Sequence, residues 1–213
     1  MTLKGNVFLT KQKLLLKNFF DERLIEAGCD EAGRGCFAGP VVAAAVILPY
    51  DFYHPLLNDS KKVTECNRKE LKIYIEQNAI AYGIALVDEQ EIDRINILKA
   101  SIKAMHLAID QLKITPELLL IDGNRFINYK KIKHTCIIKG DGLYASIAAA
   151  SILAKTWRDD YMQTLHQQFP CYNWNNNKGY GTAAHRIAIE EHGLCVYHRK
   201  SFKCQRPQLS LSI

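Results

Sequence analysis

No C-x-x-C pair occurs in the 213-residue chain, and its seven cysteines (Cys29, Cys36, Cys66, Cys136, Cys171, Cys195 and Cys204) are odd in number and widely scattered. Both features argue against a zinc ribbon and a disulfide framework, so buried thiols in a reducing cytoplasm are expected. Long apolar runs are missing as well. The longest uncharged apolar stretch, Phe37 to Leu48, falls short of the ~20 residues that a membrane span needs. Lys4, Lys11, Lys13 and Lys17 interrupt every apolar run before Phe20, so no secretory h-region can be drawn. There is no Pro/Ser/Gly-rich linker tract and no internal repeat. These absences predict one cytoplasmic domain over residues 1–213, with a basic lead-in over 1–20, a core over 24–170 and a C-terminal helical segment and tail over 171–213.

What is present fits a globular core: 48% hydrophobic and 23% charged residues, at a size that folds without staples. Twenty-eight Lys and Arg against 22 Asp and Glu leave a formal charge of +6, which mildly favours a polyanionic partner such as nucleic acid.

The pattern predicts a strand from Leu24 to Glu31, a glycine turn at Gly33-Arg34-Gly35 and a buried strand from Val41 to Leu48, stopped by Pro49. Strands joined so closely should be antiparallel neighbours. Arg68 to Gln77 reads as a helix and Ile80 to Val87 as a strand. A single long helix is predicted over Glu89 to Leu112 from the stripe Ile92, Ile95, Leu98, Ile102, Met105 and Ile109. Leu118 to Ile121 and Thr135 to Ile138 read as buried parallel strands, each ending in a polar turn. Tyr144 to Gln168 is predicted helical, its small residues (Ala145, Ser146, Ala148, Ala149, Ala150, Ser151) letting it lie close on a sheet. A last helix runs from Thr182 to Glu191, with Gly193 as C-cap. The fold class is α/β, with a mixed central sheet flanked by helices.

Four acids fall at the ends of these elements: Asp30 and Glu31 after the first strand, Asp122 after a later one and Asp141 at the head of the small-residue helix. Open α/β sheets bind ligands outside strand ends. Any one of these acids could be a turn or N-cap residue, and Asp141 suits a cap best. Together they raise an electrostatic problem, since two carboxylates ~4 Å apart repel by about 4 kcal/mol at an effective dielectric near 20. Divalent cations solve it. Oxygen ligands without nearby His or Cys select a hard ion, Mg²⁺ or Mn²⁺, and two such ions suit phosphodiester chemistry.

Gly33-x-Gly35-x-x-Ala38 formally matches the dinucleotide fingerprint, but Gly39-Pro40 leads into a strand where that motif must open a helix. The turn is therefore either a bare turn or a place where backbone approaches a sugar-phosphate, with Arg34 pairing phosphate. His185 and His192, seven apart on one helix, read as surface or capping residues, with substrate contact as the sharper option. Asn175-Asn176-Asn177-Lys178 reads as a polar loop. Tyr180 reads as a packing tyrosine or a substrate reader.

Taken in order, Asp30-Glu31-Ala32-Gly33-Arg34-Gly35, Ala38 to Ala44, Asp59-Ser60-Lys61-Lys62, Ile121-Asp122-Gly123-Asn124, Lys139-Gly140-Asp141, Ser146 to Lys155 and Lys178-Gly179-Tyr180-Gly181-Thr182 with His185 resemble the ribonuclease HII family, over about Leu24 to Phe202. The resemblance implies a ribonuclease H-like fold and Mg²⁺- or Mn²⁺-dependent endonucleolytic cleavage of the RNA strand in RNA–DNA hybrids. It also implies nicking 5′ of single ribonucleotides in duplex DNA, leaving 3′-hydroxyl and 5′-phosphate ends, by a monomer with no membrane partner. The family's metal-site acids fall on Asp30, Glu31, Asp122 and Asp141. Its substrate-binding residues fall on Gly33, Arg34, Gly35, Lys61 and Tyr180. Gly181 departs from the proline common there, and Tyr197 and Lys200 depart from His and Arg; the expected cost lies in tail packing or substrate grip.

Overall fold

The computed structural model of the protein describes residues 16–204, so most of the predicted lead-in and the end of the tail lie outside the described residues. Five strands form one sheet in the order β3-β2-β1-β4-β5. They are β1 (Glu26–Ala32), β2 (Val41–Ile47), β3 (Ala81–Val87), β4 (Leu118–Asp122) and β5 (Lys133–Ile137). As predicted, β1 and β2 pair antiparallel, with β3 continuing that ladder, whereas β4 and β5 run parallel to β1.

Alternation divides the sheet's side chains between two helical layers. On one face Ala27, Cys29, Val41, Ala43, Leu119 and Ile121 pack with Ile92 of α2 (Glu89–Ile95) and with Ala100, Ala104, Met105 and Ala108 of α3 (Ile97–Asp110). On the other, Val42, Ala44 and Val46 pack with Leu71 and Ile75 of α1 (Glu65–Asn78) and with the alanines of α4 (Ala145–Gln168). Small residues decide how closely α4 approaches. A Cβ on Gly28 of β1 would stand 2.2 Å from the Ser146 carbonyl carbon, so only glycine permits this contact. A third apolar cluster seats α5 (Trp174–Asn177) and α6 (Ala183–His192) against the end of α4, through Met162, Leu165, Tyr172, Trp174 and Ile189. No helix among the described residues is long and apolar enough to cross a membrane.

Four expectations need correction. The single helix over 89–112 is two, because Asn96 takes φ +69° between them, and its side chain accepts the Lys99 N–H to cap α3; the apolar stripe runs on across the break, which hides it from periodicity. The strand expected at Thr135 to Ile138 starts earlier and lies at the sheet edge, half-exposed, with Ile138 in solvent. Residues 175–177, read as loop, belong to the short helix α5. The cysteines are free, but Cys66 and Cys171 are exposed, Cys136 and Cys195 are half-buried, and three are buried.

Candidate active site

Register places the first acids. Cys29 of β1 pairs with Ile121 of β4, so the next residues, Asp30 and Asp122, leave the parallel pair at the same level on the α4 side, and Glu31 turns to the α3 side. Asp141 arrives from the turn after β5, in a short 3-10 segment, Gly140–Gly142. It is not the cap of α4, whose N-cap is Tyr144 without a side-chain bond. Instead Asp141 is buried beside Asp122 and Asp59.

This rim carries excess negative charge. Burial first, then Glu31 and Asp122, raise Asp30 well above the usual carboxylate range. A hydrogen bond from the Ser151 hydroxyl and one from the Glu31 N–H (2.7 Å) act in the opposite direction. Burial also raises Glu31, against the opposing Arg34 guanidinium, which donates from Nη1 at 2.9 Å. Asp141 is raised by burial, by Asp122 and by Asp59, with Lys61 opposing. Asp122 accepts the Gly140 N–H at 2.7 Å. Carboxylates that repel in a half-closed site fit the demand of divalent cations. Among the described residues, however, no group of three or more His, Cys, Asp or Glu side chains stands ready to hold an ion as arranged.

A cavity of about 280 Å³ joins Asp30, Glu31 and Asp122 to Gly33, Arg34, Gly35, Lys61 and Tyr180. Eight of the nine predicted site residues thus line one space; Asp141, close enough to Asp122 to be raised by it, is outside the lining. Three further lining residues escaped sequence reasoning: Ser60, Ser151 and Lys155. The Ser60 and Ser151 hydroxyls share a hydrogen bond of 2.9 Å. That bond anchors the Asp59-Ser60-Lys61 segment. Lys155 pairs with Asp159 one turn on. The spacing 151, 155, 158 along one helix face is the signal that could have found them.

Two buried arginines, also missed, brace the glycine turn and the segment that follows it. From α4, Arg158 donates to the carbonyls of Pro40 (2.9 Å), Ala38 (2.9 Å) and Lys178 (2.8 Å). Arg199 donates twice to the Gly39 carbonyl (3.0 and 2.7 Å) and once to that of Arg34 (3.1 Å). Gly33, at φ +94°, lies flat on Arg158, where a Cβ would meet Nε at 2.1 Å, whereas Gly35 faces open space. A β-bridge between Cys36 and Tyr180 brings the tyrosine to the turn. Next to it, the Phe37 ring lies 2.3 Å from where a Gly181 Cβ would stand, so glycine suits this position. His185, expected at the surface, is fully buried and hydrogen-bonded, while His192 is exposed.

A family model described as Ribonuclease HII matches residues 27–205. The Bacteroides fragilis protein of that name is 61% identical over 188 residues, covering 88% of this chain and 94% of its own length. Among solved structures, the ribonuclease H2 from Pyrococcus horikoshii OT3 superposes with a TM-score of 0.71 at 24% identity, over 84% of this chain and 94% of that one. The ribonuclease HIII named Bst, solved in complex with Mn²⁺, superposes with a TM-score of 0.65 at 19% identity, over 84% and 67%. Those two likenesses show the fold, and the match in sequence settles the rest: the chain belongs to the ribonuclease HII family, endonucleases that act on RNA–DNA hybrids.

Proposed function

We propose that this chain, acting as a cytoplasmic monomer, cleaves the RNA strand of RNA–DNA hybrids and nicks duplex DNA on the 5′ side of single ribonucleotides, leaving 3′-hydroxyl and 5′-phosphate ends. The observation that carries this reading is the single cavity in which repelling acids meet a glycine turn, Arg34, Lys61 and Tyr180. Asp30, Glu31, Asp122 and Asp141 would hold divalent cations, Mg²⁺ or Mn²⁺, and the Mn²⁺ bound by the Bst ribonuclease HIII supports a hard ion. When bound, such ions supply a water activated at neutral pH and a counter-charge for the leaving oxygen.

The protein's own groups do the rest. Backbone amides and carbonyls of Gly33 to Gly35, with Gly33 packed on Arg158 and the Arg34 carbonyl held by Arg199, read the 2′-hydroxyl, since a fixed main chain cannot flex away from so small a mark. Arg34 and Lys61 grip phosphate, Arg34 exchanging its bond to Glu31 for the substrate. The Tyr180 ring, 41% exposed at the cavity edge, packs on the adjoining sugar.

The test uses matched duplexes with ribose, 2′-deoxyribose or 2′-O-methylribose at one position, each with Mg²⁺, Mn²⁺ or EDTA. Nicking of the ribose duplex alone, and only with metal, is expected. Equal nicking of ribose and deoxyribose would overturn the specificity, and binding without any nicking would leave a nucleic-acid-binding module with structural acids.

A further inference from the structure

Below Tyr180 runs a buried polar chain that the reaction above does not use. His185 and His198 are 0% and 1% exposed and sit among Trp174, Tyr172 and Cys195. Their protons can be assigned from the fixed donors around them. The Cys195 backbone N–H donates to His198 Nδ1 at 3.0 Å, so the His198 proton is on Nε2. The Trp174 indole N–H donates to His185 Nε2 at 3.0 Å, so the His185 proton is on Nδ1. His198 Nε2–H then points at His185 Nε2, 3.2 Å away, and His185 Nδ1–H at the Tyr180 carbonyl, 2.9 Å away. His185 Nε2 shares its single lone pair between the Trp174 and His198 donors, and the chain ends on the residue whose ring stands in the cavity.

We propose that His185 is a positioning residue: its Nδ1–H fixes the Tyr180 carbonyl and with it the backbone from which the Tyr180 ring meets the substrate strand. The inference rests on the reading of Tyr180 as a substrate contact. The same carbonyl also accepts the Thr182 N–H at 2.8 Å, while the Tyr180 N–H donates to the Asn177 carbonyl at 2.8 Å. Tyr180 is thereby held at both backbone groups, and His185 is the one tether that comes from a side chain on the packed helix α6. Thr182 caps that helix by accepting the His185 N–H, which fixes the imidazole's own origin. Burial lowers the pKa of both imidazoles, so the neutral pair needed for this pattern persists at physiological pH. A histidine present only for packing would need no such aim at one carbonyl.

The experiment is a double-mutant cycle on steady-state nicking at a single ribonucleotide with Mg²⁺. His185→Ala is expected to lower kcat about tenfold with KM changed less than about threefold, and to add less than about twofold to the loss in Tyr180→Ala. His185→Asn, whose amide N–H stands in for Nδ1–H, should recover kcat to within about threefold of wild type. If His185→Ala fails to fold, Trp174→Phe replaces it: the ring stays, the donor that fixes the tautomer goes, and a smaller loss should again vanish in the Tyr180→Ala background. Losses that add in the double variants, or full kcat in His185→Ala, would overturn the inference alone. Full kcat in Tyr180→Ala would instead remove the Tyr180 reading, and the inference with it.

Discussion

The two halves of the cavity solve opposite problems. On the acid side, Asp30, Glu31 and, outside the lining, Asp141 are each pushed toward protonation by burial first and then by neighbouring carboxylates, Asp122 among them in every case. Around the glycine turn, two buried arginines place six hydrogen bonds on five main-chain carbonyls, that of Arg34 in the turn itself and those of Ala38, Gly39, Pro40 and Lys178 beside it. The rim is left unbalanced, whereas the backbone of the turn is braced through the Arg34 carbonyl and the segment that follows it. Chemistry needs groups whose charge only a ligand completes, whereas reading one hydroxyl needs donors and acceptors that have nowhere else to go.

The strongest way to break this comparison is Asp30→Asn. Deleting a repelling charge should cut metal-dependent nicking by a factor of about 10³ or more, roughly 4 kcal/mol. It should also stabilise the folded protein by about 1–2 kcal/mol, raising Tm by about 2–8 °C. Thermal melts beside nicking rates check both, and a destabilised, active variant would contradict the assignment. Next come the two glycines, which sequence alone treats as equivalent. Gly33→Ala meets Arg158 and a positive φ, and should cost about 2–4 kcal/mol of stability. Gly35→Ala has room, so stability should shift by less than about 0.5 kcal/mol while nicking falls. Urea denaturation of the pair separates turn strain from blocked substrate approach.

Acidification sharpens the contrast further. The buried His198 has a pKa lowered from 6.5 to about 4, so the folded state excludes a proton that the unfolded chain takes up. Its stabilisation is complete above pH 6.5 and drains as pH falls toward 4, on the order of 3 kcal/mol in all. The acids have raised folded-state values, so acidification moves their contribution the other way. Stability measured from pH 7 to 5 should therefore fall more steeply in Asp30→Asn than in wild type. The smallest effect belongs to Arg34→Ala, which should weaken duplex binding and make the slope of log K against log salt shallower by about one. Titrations at three salt concentrations would show it, and an unchanged slope would remove Arg34 from the phosphate contacts.

What was legible in sequence follows the same division. Strand ends with acids announce themselves because the apolar runs Val41 to Leu48 and Leu118 to Ile121 have sharp boundaries. Asp30 and Asp122 come together once a parallel register exists. The bracing was illegible because a buried arginine or histidine looks in sequence like a surface residue: Arg158 lies in an ordinary helical pattern, and His185 reads as a surface or capping residue although it is buried. Only the carbonyls they meet, over a hundred residues away for Arg158, explain their burial. The break at Asn96 was hidden for a different reason, since a positive-φ residue can interrupt a helix without disturbing its apolar stripe.

The reach of Arg199 has a consequence for biosynthesis. Its guanidinium bonds the carbonyls of Gly39 and Arg34, which are made 160 and 165 residues earlier. A chain growing from its N-terminus can therefore collect all four acids and α4 while the turn proposed to read ribose still waits for its last brace. On that proposal discrimination is the late-maturing property, and a nascent chain halted before Arg199 would carry the acids without a finished guide to where they should cut.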